Sequence, residues 1–187
     1  MSASIDPKTF RQTVGQFPTG VTVIATAVDS RVHAMTVGSF TSVSLDPVLV
    51  LFCVDKRAKM AELIGHATGF SVNILRDEQE VLSTYFAGGW KQAKAPPFRF
   101  VPWDGGPRLE GSVAALGCSL DRTVDGGDHL IVIGEVKALH LGIEPRRPLI
   151  FHSGMYATVD RQTAKPAPEL ESPNLNIPAF LDPWTEE

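Results

Sequence analysis

Residues 35–54, MTVGSFTSVSLDPVLVLFCV, join a hydroxyl-rich run to an apolar one across the turn Asp46-Pro47. The apolar part, residues 48–54, predicts a strand buried on both faces, which requires a fold with protein on each side of it. Gly38 lies within the hydroxyl-rich part, among Thr36, Ser39, Thr41, Ser42 and Ser44. Small hydroxyl residues around a glycine leave backbone N–H groups accessible, which suits a planar polar ring laid against the chain. A Ser/Thr-rich edge strand is the alternative interpretation.

Short β-branched runs recur along the chain with few helical patterns between them. Strands are predicted at residues 21–28, 33–37, 48–54, 69–75, 112–124, 129–141, 149–152 and 155–159. The two longest form a hairpin joined by residues 125–128. This spacing predicts a mainly β fold, a closed antiparallel barrel with two or three helices outside it.

Three helices are predicted around this barrel. The first begins at Asp6-Pro7, with an N-cap acceptor and a proline at the first helical position, and ends near Pro18. Its apolar face comprises Phe10, Val14 and Phe17. The others cover residues 60–64 and 77–86, the latter with Asp77 and Glu80 in a capping-box spacing.

Composition excludes several classes of function. The net charge of −4 gives no basic footprint for nucleic acid, and no apolar run approaches the ~20 residues of a membrane span. The N-terminus lacks a secretory pattern, and Cys53 and Cys118 lie in strand-like runs, so we expect free thiols in a cytoplasmic protein. Two distant cysteines and five scattered histidines indicate no metal site.

A basic turn, Asp55-Lys56-Arg57-Ala58-Lys59, follows the apolar strand and leads into a short helix. Free N–H groups and the helix dipole favour an anion at such a point, and the cations add charge, so a phosphate site is one interpretation. A solvated basic turn is the other.

Four segments in this order resemble the flavin reductase family, the small NAD(P)H-dependent reductases that supply reduced flavin to two-component monooxygenases. They are FPTGVTVIAT, MTVGSFTSVSLDPVLVLFCVDKRAK, GDHLIVIGEV and FHSGMY, and the resemblance covers roughly residues 8 to 160. It implies the family's FMN-binding split barrel, FMN or FAD as flavin, NADH or NADPH as hydride donor, a homodimer with flavin at the subunit interface, and a monooxygenase partner. Two departures are visible, since many members carry Asn in place of Gly38 and Ser or Thr in place of Ala58.

The resemblance also implies roles for individual residues. The flavin-binding set is Thr36, Val37, Gly38, Ser39, Thr41, Ser42, Val54, Asp55, Lys56, Arg57, Lys59 and Phe86. Within Gly-Asp-His, His129 is expected beside the nicotinamide, and Tyr156 is expected to reach the flavin ring. The alternative for His129 is a turn residue without a role in binding, and the alternative for Tyr156 is a tyrosine packed in the barrel.

Hydride transfer between nicotinamide and flavin needs little acid–base machinery, because the chemistry belongs to the two cofactors. This agrees with the lack of a catalytic triad, a paired-carboxylate motif or a Rossmann fingerprint in the sequence. Two rivals remain: a non-enzymatic flavin-binding or electron-carrier protein on the same barrel, and a dimeric scaffold whose acidic tail recruits a partner.

The chain divides into a reductase-like domain, residues 1–160, and a tail, residues 161–187. The tail holds five of the 14 prolines and five acidic residues, with Leu175, Ile177, Phe180, Leu181 and Trp184 among them. Its prolines indicate an extended arm or a disordered end. We expect an arm that packs across its own dimer, with docking on a partner such as the oxygenase as the alternative.

Overall fold

A computed structural model describes residues 5–159 of the chain. The predicted C-terminal tail and its apolar residues lie outside the described part. The helices are α1 (Pro7–Val14), α2 (Lys59–Leu63) and α3 (Glu80–Phe86), the last preceded by a 3₁₀ turn, Asp77–Gln79. The strands are β1 (Thr19–Gly20), β2 (Thr22–Val28), β3 (Arg31–Val37), β4 (Thr41–Leu45), β5 (Val48–Asp55), β6 (Phe70–Ile74), β7 (Phe100–Val101), β8 (Arg108–Leu109), β9 (Ala114–Gly126), β10 (His129–Leu141), β11 (Leu149–His152) and β12 (Met155–Thr158).

Seven strands form one antiparallel sheet in the order β3-β2-β6-β9-β10-β5-β4. Although β3 and β5 lie near opposite ends of this order, Val37 of β3 and Val50 of β5 belong to the same buried cluster as Phe70 and Val132. A sheet whose two ends cover one core is curled into a barrel. The predicted mainly β, antiparallel barrel with a few peripheral helices is therefore confirmed.

The long hairpin β9–β10 is confirmed, with a turn shorter than predicted. Strand β9 continues to Gly126 and β10 begins at His129, which leaves the two residues Gly127 and Asp128 as the turn. Gly127 has φ of +80°, as the first central position of a type II′ turn requires. Within β10, a Cβ on Gly134 would lie 2.4 Å from the ring of Phe70, so only glycine allows this core ring to pack against the strand.

Two smaller sheets extend the barrel. One joins β1, β11 and β12, and the other pairs β7 with β8. A second buried cluster, with Val21, Leu75, Leu109 and Leu149 among its members, lies under the three-stranded sheet and α3. This arrangement brings α3 and β12 to the same side of β3.

Helix α1 begins as predicted and ends earlier. The carboxylate of Asp6 accepts a hydrogen bond from the Thr9 N–H at 2.9 Å, and Pro7 is the first helical residue. The helix ends at Val14, before the predicted end near Pro18, and its predicted apolar face is uncovered in the single chain: Phe10, Val14 and Phe17 are 56%, 51% and 71% exposed. Periodicity identified an apolar face, but no other described element covers it.

Two local predictions also need correction. The capping interaction before α3 joins the Arg76 N–H to the side chain of Gln79 at 2.9 Å, in place of the predicted Asp77 and Glu80. Strand β5 is fully buried on the face of Val50, Phe52 and Val54 but only partly on the other, where Leu51 and Cys53 retain some exposure. Among the described residues, no helix is long and apolar enough to cross a membrane.

Candidate functional site

The predicted flavin loop, residues 38–42, is fastened to β5 by one serine. Ser39 Oγ accepts a hydrogen bond from the Cys53 N–H at 2.9 Å and donates to the Cys53 carbonyl at 3.3 Å. Thr41 and Ser42 then lie opposite Leu51 and Val50 in the β4–β5 ladder. We call residues 38–42, which join the end of β3 to the first two residues of β4, the hydroxyl loop. Its position along the middle of β5 is thus set by side-chain as well as backbone bonds.

The cations of the basic turn are each paired with a carboxylate of the same chain. Lys56 Nζ lies 2.5 Å from Asp125 Oδ2. Arg57 Nη2 lies 2.6 Å from Asp55 Oδ2, and the Arg57 guanidinium holds the pKa of the Asp55 carboxyl well below its usual range.

The last cation, Lys59, lies 2.8 Å from Glu62 within α2, and Ala58 at the helix N-cap offers no side-chain acceptor. These residues remain a predicted phosphate site. Any phosphate bound there competes with three carboxylates.

His129 lies directly beside this turn. In the β10–β5 ladder it is the partner of Asp55. Its Nδ1 lies 2.7 Å from Asp128 Oδ1, and hydrogen bonding to His129 lowers the pKa of the Asp128 carboxyl. The Lys56 N–H donates to the Asp128 carbonyl at 3.0 Å, which ties the hairpin turn to the basic turn. The fold therefore brings together the predicted nicotinamide residue and the predicted phosphate residues, 70 or more positions apart in the chain.

A cavity of about 740 Å³ adjoins the hydroxyl loop. From the predicted set, Gly38, Ser39 and Thr41 line it. The rest of the lining comes from the segment 17–20, from α1 and its end, and from Phe151 of β11. Ser153, in the turn after β11, donates its N–H to the Gly15 carbonyl at 2.9 Å and so holds the end of α1 in this lining. The lining combines aromatic rings with hydroxyl and backbone groups.

This cavity fits a flavin by its chemistry. The isoalloxazine ring system is planar and largely apolar with a polar edge, and the cavity is lined by Phe17, Phe40 and Phe151 together with Thr19 and Thr41. A Cβ on Gly20 would meet nothing within 4 Å, so the backbone there is accessible from the cavity. A Cβ at Gly38 would lie 3.2 Å from Thr19 Oγ1, so the backbone at Gly38 and the side chain of Thr19 are close neighbours in the cavity lining.

Sequence reasoning missed the wall formed by residues 17–20. The segment FPTG carried part of the family resemblance, yet none of its residues was predicted to bind the cofactor. Strand β1 pairs Thr19 with Phe151 and Gly20 with Ile150, a contact between positions 130 or more apart. The position of the FPTG motif just before a strand was the sequence feature that could have predicted a ligand contact there.

Tyr156 and Thr36 meet at Ser83 of α3, away from this cavity's lining. The Tyr156 hydroxyl lies 2.9 Å from Ser83 Oγ, and the Thr36 hydroxyl donates to the Ser83 carbonyl at 2.7 Å. Ser83 is 1% exposed. The polar groups of both predicted residues are therefore engaged with α3, and the Tyr156 ring packs on Phe151 with 5.3 Å between centroids.

Three further predicted residues have packing roles. Val37 and Val54 are core residues, 5% and 1% exposed, so only their backbone can meet a ligand. Phe86 lies in a separate aromatic group on α3 and the following loop, where it contacts Tyr85, Phe98 and Phe100. In residues 5–159, no group of three or more His, Cys, Asp or Glu side chains could hold a metal ion.

Comparison with known proteins adds sequence relatives to this geometry. The family model described as "flavin reductase like domain" matches residues 14–160. The reductase subunit HsaB of a flavin-dependent monooxygenase from Mycobacterium tuberculosis (strain ATCC 25618 / H37Rv) is 38% identical over 174 residues, which cover 89% of this chain and 90% of that protein.

Solved structures give the same result. Flavin reductase PheA2 in its native state superimposes with a TM-score of 0.79 at 39% identity, covering 84% of this chain and 100% of that chain. The NADH:FAD oxidoreductase SgcE6 of Streptomyces globisporus C-1027, in complex with NAD and FAD fragments, gives 0.76 at 34% identity, with coverages of 87% and 100%. These likenesses confirm that the barrel is the predicted split barrel.

Proposed function

The chain belongs to the flavin reductase family, and from that premise we propose that it is an NAD(P)H:flavin oxidoreductase that supplies reduced flavin to a partner monooxygenase. FMN or FAD is the flavin, and NADH or NADPH is the hydride donor. The M. tuberculosis relative is named as the reductase subunit of such a monooxygenase, and the SgcE6 structure contains NAD and FAD fragments.

One observation carries the proposal from the family to this chain. Two separate segments that resemble the family, residues 17–26 and 35–59, contribute lining residues to the same cavity of about 740 Å³. A cavity of this size lies in the range of small-molecule sites, which are mostly apolar with a few polar groups that fix orientation. The fold thus brings together the motifs where a cofactor ring can lie between them.

The protein's part in the reaction is to bind, orient and exclude water. The transfer of hydride from nicotinamide to flavin is supplied by the cofactors themselves. Holding two rings in contact accounts for several kcal/mol of the barrier without any acid or base, and for about 7–11 kcal/mol in the best intramolecular cases. Phe17, Phe40 and Phe151 offer apolar surface against which a ring can pack, and the hydroxyl loop offers hydrogen bonds to the polar edge of a ring.

We assign the nicotinamide side of the site to His129. Asp128 orients its imidazole through Nδ1, and the basic turn lies beside it for the phosphates of either cofactor. Tyr156 is assigned to the flavin side through its ring, which packs on Phe151 of the cavity lining while Ser83 holds its hydroxyl.

An absorbance spectrum of the purified protein, followed by NADH and NADPH oxidation with and without added FMN or FAD under anaerobic conditions, tests the function. We expect flavin-dependent oxidation with multiple turnovers. Flavin binding without NAD(P)H turnover would instead identify the carrier protein of the first rival, and neither binding nor turnover would leave only the scaffold.

We further propose that the protein is a homodimer that covers the apolar face of α1. Phe10 and Val14 on α1 and Phe17 in the segment just after it are more than half exposed, and all three also line the cavity, so a second copy on this face would close the site. Flavin binding and dimerisation are then linked by mass action. Light scattering across a dilution series should show dimers that persist to lower concentration with flavin. The double variant Phe10→Ser/Phe17→Ser should weaken both dimerisation and flavin binding. Gln12→Ala, on α1 but outside its apolar face, should not weaken dimerisation.

Two further parts of the proposal have simpler support. A cytoplasmic location agrees with two free thiols and with the use of nicotinamide cofactors. The assignment of a monooxygenase partner rests on the relatives' names alone. Its test is whether this protein plus NADH stimulates a monooxygenase, with chemically reduced flavin as the control.

A further inference from the structure

A second cavity, of about 530 Å³, opens on the α3 side of β3 and is lined by a group of aromatic side chains. The group, which we call the aromatic cage, comprises Tyr85, Phe86, Trp90, Phe98 and Phe100. Their ring centroids lie 5.0–6.3 Å apart in edge-to-face or tilted pairs. Such packing is the usual arrangement of aromatic neighbours and leaves the remaining ring surfaces facing the cavity.

The cage is not a closed part of the core. Phe98 is 39% exposed, and Val32 on the strand beneath it is 44% exposed. The loop that completes it is folded back on itself, since the Trp90 indole N–H donates to the Lys94 carbonyl at 3.0 Å. That loop carries two exposed lysines, Lys91 and Lys94. Aromatic surface that remains accessible next to positive charge suits a planar ring attached to a phosphate.

We propose that the aromatic cage binds the adenine ring of a dinucleotide whose reactive ring lies in the cavity at Gly38. The proposal rests on the function proposed above for the presence of a dinucleotide. Base–aromatic stacking requires no particular hydrogen-bond pattern because every base has a π face, and lysines beside the stacking surface neutralise the phosphates.

The spacing along β3 supports this assignment. The cage lies over Val32 and Ala34, and the hydroxyl loop begins at Gly38 at the end of the same strand. Four residues of strand span about 13 Å, a separation that an extended pyrophosphate linkage between two nucleosides can bridge.

Binding of AMP, measured by isothermal titration calorimetry, tests the cage without any requirement for reductase activity. We expect AMP to bind and Trp90→Ala to weaken it roughly 5- to 150-fold, the range of one lost base–aromatic stack. Trp90→Tyr keeps a π face and is expected to restore most of the affinity, and Phe98→Ala is a second truncation at a half-exposed position. Leu139→Ala, an exposed apolar truncation (74%) outside both cavities, is the matched control.

Two substrate pairs identify which cofactor supplies the adenine. If the adenine comes from NAD(P)H, Trp90→Ala lowers kcat/KM for NADH more than kcat/KM for reduced nicotinamide mononucleotide, which lacks the adenylate half. The ratio of the two kcat/KM values therefore falls. If it comes from FAD, the same variant raises the Kd of FAD relative to that of FMN. A shift in either ratio supports the adenine subsite.

Three results overturn the proposal: no AMP binding at millimolar concentration, equal AMP affinity for the parent chain and Trp90→Ala, or no change in either ratio. Failure of the reductase function is a separate result. In that case NADH oxidation is absent from the parent chain, whereas AMP binding and its loss in Trp90→Ala are still measurable.

Discussion

Ser39→Ala removes one hydroxyl and with it both hydrogen bonds that fasten the hydroxyl loop to β5. The hydroxyl accepts from the Cys53 N–H at 2.9 Å and donates to the Cys53 carbonyl at 3.3 Å. A typical intramolecular hydrogen bond contributes about 0.5–1.5 kcal/mol to stability. The site is exposed, so water replaces part of the loss. We therefore expect a decrease of about 1 kcal/mol in the free energy of unfolding, which corresponds to about 2–4 °C in Tm for a chain of this size.

The same deletion should weaken flavin binding through the position of the loop. Without the clamp, the loop must be ordered when the ligand binds, and that cost is subtracted from the binding free energy. If the whole ~1 kcal/mol appears in binding, the Kd of FMN rises about fivefold, since 1.4 kcal/mol is a factor of ten. Thermal unfolding followed by circular dichroism and flavin titration by fluorescence measure the two effects in one preparation.

Ser42→Ala is the matched control because it deletes the same hydroxyl from the same loop without touching Cys53. We expect its Tm to remain within about 1 °C of the parent. A lower Tm for Ser39→Ala with unchanged flavin affinity would show that the clamp serves the barrel alone and that the loop is no part of the flavin site. Equal decreases in Tm from both variants would refute the special role given to Ser39.

Three further outcomes are expected. Charge reversal at Lys56 and Lys59 should weaken FMN binding at least about tenfold more than riboflavin binding, because only FMN carries a phosphate; equal losses in two titrations would contradict the phosphate site. His129→Ala should raise the KM for NAD(P)H, or slow flavin reduction in stopped flow, with little change in flavin affinity; unchanged reduction would leave His129 a turn residue. Burial raises the pKa of the Cys118 thiol to about 12, so the folded protein keeps this proton while the unfolded thiol ionises from about pH 8.5, and stability should fall as pH rises above that value. Iodoacetamide should accordingly modify Cys53 before Cys118 in the native protein, as mass spectrometry can report, and equal rates would contradict the burial.

Local chemistry made parts of this fold predictable. Asp6-Pro7 fixes a helix start because the cap acceptor and the proline act within one turn. The β9–β10 hairpin follows from alternation on either side of glycines that permit a tight turn. Spacing predicts that Phe10, Val14 and Phe17 share a face, but it does not show which other part of the protein covers that face. Their exposure could therefore not be derived from the sequence.

Long-range contacts account for most of what the sequence could not predict about the site. Ser39 and Thr36 belong to the predicted hydroxyl-rich run, but their hydroxyls bond to Cys53 and Ser83, partners fixed by the curl of the sheet. The wall at residues 17–20 depends on β1 pairing with β11. Nothing in the residues around Lys56 indicates its pairing with Asp125, 69 positions away.

The paired cations of the basic turn remain compatible with a phosphate site. Exposed ion pairs contribute only about 0–1 kcal/mol, because water screens the charges and the side chains lose entropy when they are held together. The side chains of Arg57 and Lys59 are 87% and 61% exposed, so exchanging their carboxylate partners for a phosphate costs little. A phosphate at pH 7 carries about −1.5 to −2 charges and three acceptor oxygens against a single carboxylate charge. When no ligand is bound, the carboxylates of Asp55 and Glu62 hold the turn in place. They also compete with a bound phosphate for Arg57 and Lys59, which favours release of the flavin. Such release suits a reductase whose reduced flavin must pass to another protein.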